Sequence, residues 1–153
     1  LAGWNRLYGT GHVALRFANV YGPRQSASLE GGVIAIFLER MAAGEPTAIN
    51  GDGNQTRDFV YVGDVARAVL AAVGRAGGVF NIGTGVETSI AELHAACRRA
   101  AGSTGLPSHG PARKGDVFRS VIDPTLAASA LDWSPKTSLD EGLALTWDGM
   151  RKD

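Results

Sequence analysis

Apolar positions recur along the chain in two rhythms, and each predicts a kind of element. Val13 to Val20 (Val-Ala-Leu-Arg-Phe-Ala-Asn-Val) is a nearly continuous β-prone run closed by Tyr21-Gly22-Pro23. It predicts a buried strand running into a loop. Leu1 to Tyr8 has the pattern of a helix tail that stops at Gly9 and Gly11 and carries no start signal of its own. Arg24 to Gly32 is polar and predicts a loop. Val33, Phe37 and Met41, flanked by Ile34 and Leu38, return at helical spacing until Gly44 and Pro46 stop the helix. Thr47 to Asn50 predicts a short strand, Gly51 to Asn54 a turn, and Phe59 to Val62 another β-prone run.

The second half repeats the alternation. Asp64 can cap a helix with Val65, Val69 and Val73 on one face and Ala66 and Leu70 beside them; Gly74 to Gly78 ends it. Val79 to Ile82 predicts a strand, and Gly83-Thr84-Gly85 a tight turn. Ser89 and Glu92 form a capping box for a helix whose face is Ile90, Leu93, Cys97 and Ala101. Gly102 to Gly115, with Pro107 and Pro111, reads as a linker. Asp123-Pro124 starts a short helix ending near Leu131-Asp132-Trp133. Ser138 and Glu141 make a second capping box, ahead of a face formed by Leu139, Leu143, Trp147 and Met150. The order predicts an α/β protein with some mixed pairing. Long strands are too few for a complete doubly wound sheet, and the chain opens in mid-helix. The expectation is therefore the C-terminal part of a larger protein.

Composition narrows the function classes. The 153 residues suit about one domain, and 44% hydrophobic against 20% charged residues is a globular balance. Lysine plus arginine equals aspartate plus glutamate at 15 each, which argues against a global basic field for nucleic acid or a membrane surface. A local cationic pocket stays open. Cys97 is the single cysteine, so neither an intrachain disulfide nor a cysteine-rich zinc site can form, and a reducing cytoplasmic location is expected. No apolar run approaches the roughly 20 residues that span a bilayer. Asn50, Asp52 and Asn54 alternate like a calcium loop, but Gln55 and Tyr61 stand where its glycine and terminal glutamate belong, so no metal site is expected. There is no Gly-x-Gly-x-x-Gly, no Gly-x-x-x-x-Gly-Lys, no Gly-x-Ser-x-Gly and no His-Glu-x-x-His.

Some residues suit anion recognition. Arg57 and Arg113 are guanidinium forks that could hold a diphosphate; each is otherwise an ordinary solvated arginine. Asn19 falls at the carboxyl end of a predicted strand, where open α/β sheets bind ligands, or is a turn asparagine. Gly32-Val33 falls at a helix start, where free amides favour an anion, although Val33 also fits a helix core. His94 reads as packed, Cys97 as a small core residue, Trp133 and Trp147 as core anchors, and His12 and His109 as loop residues without a signal.

Five segments in collinear order carry a resemblance. They are Leu15–Gln25 (LRFANVYGPRQ), Gly51–Ala66 (GDGNQTRDFVYVGDVA), Phe80–Gly85 (FNIGTG), Pro111–Asp116 (PARKGD) and Leu131–Leu143 (LDWSPKTSLDEGL). Together they resemble the C-terminal half of the extended short-chain dehydrogenase/reductase family, the NAD-dependent sugar-nucleotide epimerases and dehydratases. The resemblance is nearest to the bacterial 4-epimerases that act on UDP-sugars. It implies a Rossmann-like fold in which residues 1–153 contribute late sheet elements and a small α/β substrate-binding domain. The NAD-binding N-terminal part would be absent. It also implies that Arg57 and Arg113 face the diphosphate of a UDP-sugar, with Asn19 and the Val33 backbone on the substrate. Ala48 and Asn50 would read the uracil edge through backbone, Asp116 would hold the ribose hydroxyls, and Ala18 would touch the nicotinamide end of NAD.

Catalysis in that family rests on a Tyr-x-x-x-Lys pair. Tyr8, Tyr21 and Tyr61 are followed four residues later by His12, Gln25 and Val65, so no catalytic residue is assigned. The expected function is the sugar-nucleotide-binding portion of a 4-epimerase working through a 4-keto intermediate. A 4,6-dehydratase or decarboxylase is the alternative within the family, and a non-catalytic binding module the alternative outside it. A strand at Val13–Val20 without neighbours would expose apolar faces, so a homodimer or another pairing that covers the edge is also expected.

Overall fold

The computed structural model describes residues 1–30, 32–75 and 77–151. The expected loop at 24–32 and the turn at 74–78 each include one residue, Gly31 and Ala76, outside the described residues. In chain order the elements are α1 (Ala2–Tyr8), β1 (Val13–Phe17), β2 (Asn19–Tyr21), α2 (Ala27–Glu30), α3 (Val33–Ala42), β3 (Ala48–Asn50), β4 (Thr56–Arg57) and β5 (Phe59–Tyr61). They continue with α4 (Val62–Ala72), β6 (Gly78–Ile82), β7 (Thr88–Ser89), α5 (Ile90–Ala101), β8 (Ser108–Gly110), β9 (Arg119–Ser120), α6 (Thr125–Leu131) and α7 (Leu139–Met150).

The predicted single strand over Val13–Val20 is two strands with two partners. β1 pairs in parallel with β6, and β2 pairs in parallel with β5. The switch falls at Ala18, whose amide donates to Ile82 O, while the next amide, of Asn19, donates to Asp58 O. Nor is the run fully buried: Phe17 is 48% exposed. Continuous hydrophobicity marked a β-prone segment, but nothing in it encodes a change of neighbour.

β2 and β5 form a wall between two cores. Consecutive side chains on a strand leave on opposite faces. Phe59 and Tyr21 therefore join Phe37, Leu38, Leu93, Cys97 and Leu143 in the core among α3, α5 and α7. Val60 and Val20 join Phe80, Ile82, Leu131 and Trp133 on the other side, beneath α4 and α6. The indole of Trp133 donates to Asp64 O at 2.9 Å, which satisfies its polar atom inside that core.

Several expectations need correction. α4 buries Val65 and Ala68, whereas Val69 and Val73 are 47% and 74% exposed, so the predicted face is rotated. Asp64 is not the cap, since the helix starts three residues earlier with Tyr61 as N-cap. Its buried carboxylate instead accepts from the amides of Lys136 and Thr137, at 3.1 and 3.0 Å, and from Arg67. Residues 102–115 are not a plain linker: β8 lies within them, parallel to β3. The short strands β7 and β9 flank β4, antiparallel and parallel respectively, and no hydrophobic pattern announced them. The expected loop at 24–32 contains the single turn α2.

The Ser89–Glu92 capping box forms in both directions. At Ser138 the hydroxyl accepts from the Glu141 amide at 3.3 Å, which is the forward half of the second box. His94 and Cys97 are buried as expected. The ring of His94 is hydrogen-bonded to the Thr47 hydroxyl at 2.7 Å and stands edge-on to Phe37, 4.9 Å between centroids. His109 is not a plain loop residue: it lies on β8, with Nδ1 2.8 Å from Gly51 O.

Two glycines of α7 let that helix lie on the Tyr21-Gly22-Pro23 segment. A Cβ at Gly142 would meet the Tyr21 ring, with Cζ at 2.8 Å, and one at Gly149 would meet Pro23 Cβ at 2.8 Å. Gly142→Ala gains about 1 kcal/mol of helix propensity. The overpacking costs about 1–3 kcal/mol against a ring that is 3% exposed and has little room to move. The expected outcome is a lower melting temperature, read by circular dichroism.

Burial lowers the His94 pKa, with Arg98 and His109 adding repulsion. Below about pH 6.5 the unfolded imidazole binds a proton while the folded one stays neutral. Stability therefore falls as pH drops from about 6.5 towards the lowered folded value. His94→Gln is expected to flatten this acid limb in urea titrations between pH 5 and 7.

Candidate functional site

β3 has one paired edge and one open edge among the described strands. The Ser108 amide donates to Thr47 O, and the Gly51 amide to Gly110 O, so Thr47 and Gly51 direct their backbone groups towards β8. Backbone groups alternate along a strand, so those of Ala48 and Asn50 face the other way, along the open edge. Ala48 is also exposed. This pair thus offers two amides and the Ala48 carbonyl in a row to a flat partner with its own donors and acceptors. The carbonyl of Asn50 is already taken by Gln55 Nε2 at 2.9 Å.

At the carboxyl ends of β3 and β8 lies a cleft of about 390 Å³ lined by Asn50, Gly51, Asp52, Gln55, Ala112, Arg113, Asp116, Val117 and Phe118. It gathers three of the expected residues, Asn50, Arg113 and Asp116. A fourth, Arg57, is tied to its wall: Nη2 donates to Asp116 Oδ1 at 2.5 Å, and Nη1 to Val117 O at 2.5 Å and Thr56 O at 2.8 Å. Arg57 is held there because β4 is pinned between β7 and β9. Glu87 strengthens this pinning by accepting from Thr56 Oγ1 and from Arg119. Hydrogen bonds from Asn54 lower the pKa of Asp52, so this carboxylate is ionised too. Two carboxylates therefore stand against two guanidiniums, and the cleft is balanced rather than cationic. An incoming dianion would compete with Asp116 for Arg57.

Asn19 and Val33 line a second, smaller cleft of about 190 Å³, with Gly32, Gln25, Tyr21 and Phe59. The α3 N-terminus has Gly32 as N-cap and no side-chain cap, so its first amides face that space. Asn19 Nδ2 donates to Asp58 O at 2.9 Å. Asp58 follows Arg57 directly, so one residue of backbone links the two clefts. Ala48 and Ala18 line neither; Ala18 packs beside the core beneath α4 and α6.

Sequence reasoning missed Gln55 and Phe118. Gln55 stands two residues before Arg57 in the same polar stretch, which was an available signal. Phe118 is 68% exposed at the cleft, and an aromatic in a polar segment was the only hint. Among the described residues no helix is long and apolar enough to cross a membrane, and no group of three or more His, Cys, Asp or Glu could hold a metal ion.

Parallel strand pairs with a cleft at their carboxyl ends, backed by helices, define an open α/β class of fold. Within it, residues 1–83 match the NAD dependent epimerase/dehydratase family, and the chain belongs to that family. It is 51% identical over 136 residues to UDP-glucose 4-epimerase of Mycolicibacterium smegmatis, covering 88% of this chain and 44% of that protein. It superposes with a TM-score of 0.95 and 48% identity on UDP-glucose 4-epimerase of Thermotoga maritima solved with UDP-glucose, covering 99% of this chain and 49% of that one. The Thermus thermophilus UDP-glucose 4-epimerase solved with NAD gives 0.87 and 41%, covering 98% and 50%. The chain spans about half the length of these relatives.

The Arg57–Asp116 ion pair is partly exposed, 18% and 35% at the two side chains. A pair of that kind contributes about 0–1 kcal/mol. Asp116→Asn is therefore expected to leave the urea midpoint almost unchanged, which separates any effect on ligand binding from an effect on folding.

Proposed function

We propose that this chain forms the sugar-nucleotide-binding portion of an NAD-dependent UDP-glucose 4-epimerase, which interconverts UDP-glucose and UDP-galactose through a 4-keto intermediate. One observation carries the reading. Arg113 and Asp116 share a cleft with Asn50 at the carboxyl end of β3, and Arg57 is bonded to that cleft's wall. The open edge suits uracil, whose rim alternates acceptor, donor and acceptor. The guanidiniums suit the diphosphate that follows, and Asp116 suits the ribose hydroxyls between them. Asn19 and the α3 amides then stand ready for the distal phosphate and the sugar.

NAD supplies the hydride acceptor in this chemistry. On this reading Ala18 stands beside it. Its amide is committed to Ile82 O, so its carbonyl is the group left to offer. The sequence holds neither a Gly-x-x-Gly-x-x-Gly fingerprint nor a Tyr-x-x-x-Lys pair. On this reading the residues described here bind and orient the substrate. Two copies of the chain, or one copy and a second segment, would cover the exposed apolar residues of α1 and α4.

UDP titrated calorimetrically into the protein is expected to bind, and Arg113→Ala to weaken binding by about 1.5–3 kcal/mol, the range for a charge-assisted contact. An unchanged dissociation constant would count against the assignment.

A further inference from the structure

Asp58 is fully buried, yet its only charged neighbour in sequence, Arg57, points to the opposite face and spends its donors on Asp116, Val117 O and Thr56 O. No cation contacts the Asp58 carboxylate among the described ion pairs. What holds it is the turn after β6. Oδ1 accepts from Thr84 Oγ1 at 2.6 Å and the Thr84 amide at 2.9 Å, and Oδ2 accepts from the Gly85 amide at 3.0 Å. A Cβ at Gly83 would sit 2.6 Å from Oδ2, so that turn is shaped around the carboxylate. The backbone of the same residue works in the other direction: Asp58 O accepts from both the amide and the Nδ2 of Asn19.

We infer that Asp58 is a positioning residue, whose buried carboxylate, clamped by the Gly83-Thr84-Gly85 turn, sets the register of Arg57 and Asn19 for one anionic ligand. The inference rests on the sugar-nucleotide reading above. The physical reason is geometric. Arg57 and Asn19 belong to different strands and face different clefts. Asp58 is covalently next to one and hydrogen-bonded twice to the other. Rotation or slippage of the β4–β5 junction would move both groups together, and the side chain of Asp58 opposes it alongside the pairing of β4 with β7 and β9. A buried acceptor satisfied by three donors resists displacement, because any movement leaves charge unpaired in the interior.

Thr84→Val removes one donor while keeping both turn amides, and Thr84→Ser restores it. The expected result is a UDP dissociation constant raised about threefold to tenfold in Thr84→Val and close to the parent value in Thr84→Ser. Both are measured well below the melting temperature, with circular dichroism confirming the fold. Asp58→Asn, if it folds, is expected to weaken UDP by about tenfold or more, because its amide would oppose the Gly85 amide. A folded Thr84→Val with a lower melting temperature and unchanged UDP affinity would overturn the inference and leave Asp58 a purely structural residue. A parent protein that does not bind UDP at all would overturn the functional reading as well, so the two failures are distinguishable.

Discussion

Much of this structure depends on one carbonyl, that of Asp58, which captures both the backbone and the side-chain amide of Asn19. That pair of bonds is where a single apolar run leaves one partner strand and takes up another. Before it, β1 follows β6; after it, β2 follows β5. Because each strand presents its side chains alternately to two faces, the new partnership also creates the wall between the two cores. Phe59 and Val60 are neighbours in sequence and end in different hydrophobic clusters.

Two buried aspartates make this arrangement specific. Asp58 and Asp64 are essentially inaccessible, and both are satisfied largely by backbone amides of remote loops. A buried carboxylate is tolerated only where its oxygens find donors, so each of the two selects one loop conformation out of many. Asp58 selects the turn after β6. Asp64 selects the approach to α7, whose glycines then pack on Tyr21 and Pro23. The polar interior thus does for the loops what hydrophobic burial does for the helices.

The candidate site inherits its geometry from that scaffold. Among the described strands β8 covers only one side of β3, and the segment between β8 and β9 brings Arg113 and Asp116 to the carboxyl end of β3. Arg57 arrives from β4, which is held by strands on both sides. Family membership and the high structural similarity to UDP-glucose 4-epimerases concern the fold, and they extend over about half the length of those proteins.

Helices were readable from residue order because their causes are local. The capping box at Ser89 and Glu92, the stop at Gly44 and Pro46, and the apolar spacing of α3 and α5 all act within a few residues. The chemistry-bearing types, two arginines, an asparagine and an aspartate, were readable for the same reason: their donors and charges belong to the side chains themselves. Short strands were not. β7, β8 and β9 have two or three residues each, too few to show a period, and they exist only because a distant strand supplies their hydrogen bonds. The rotated face of α4, the true role of Asp64 and the balancing of Arg57 by Asp116 belong to the same group. Each depends on which side of an element meets a neighbour distant in sequence, and that is settled by packing in three dimensions.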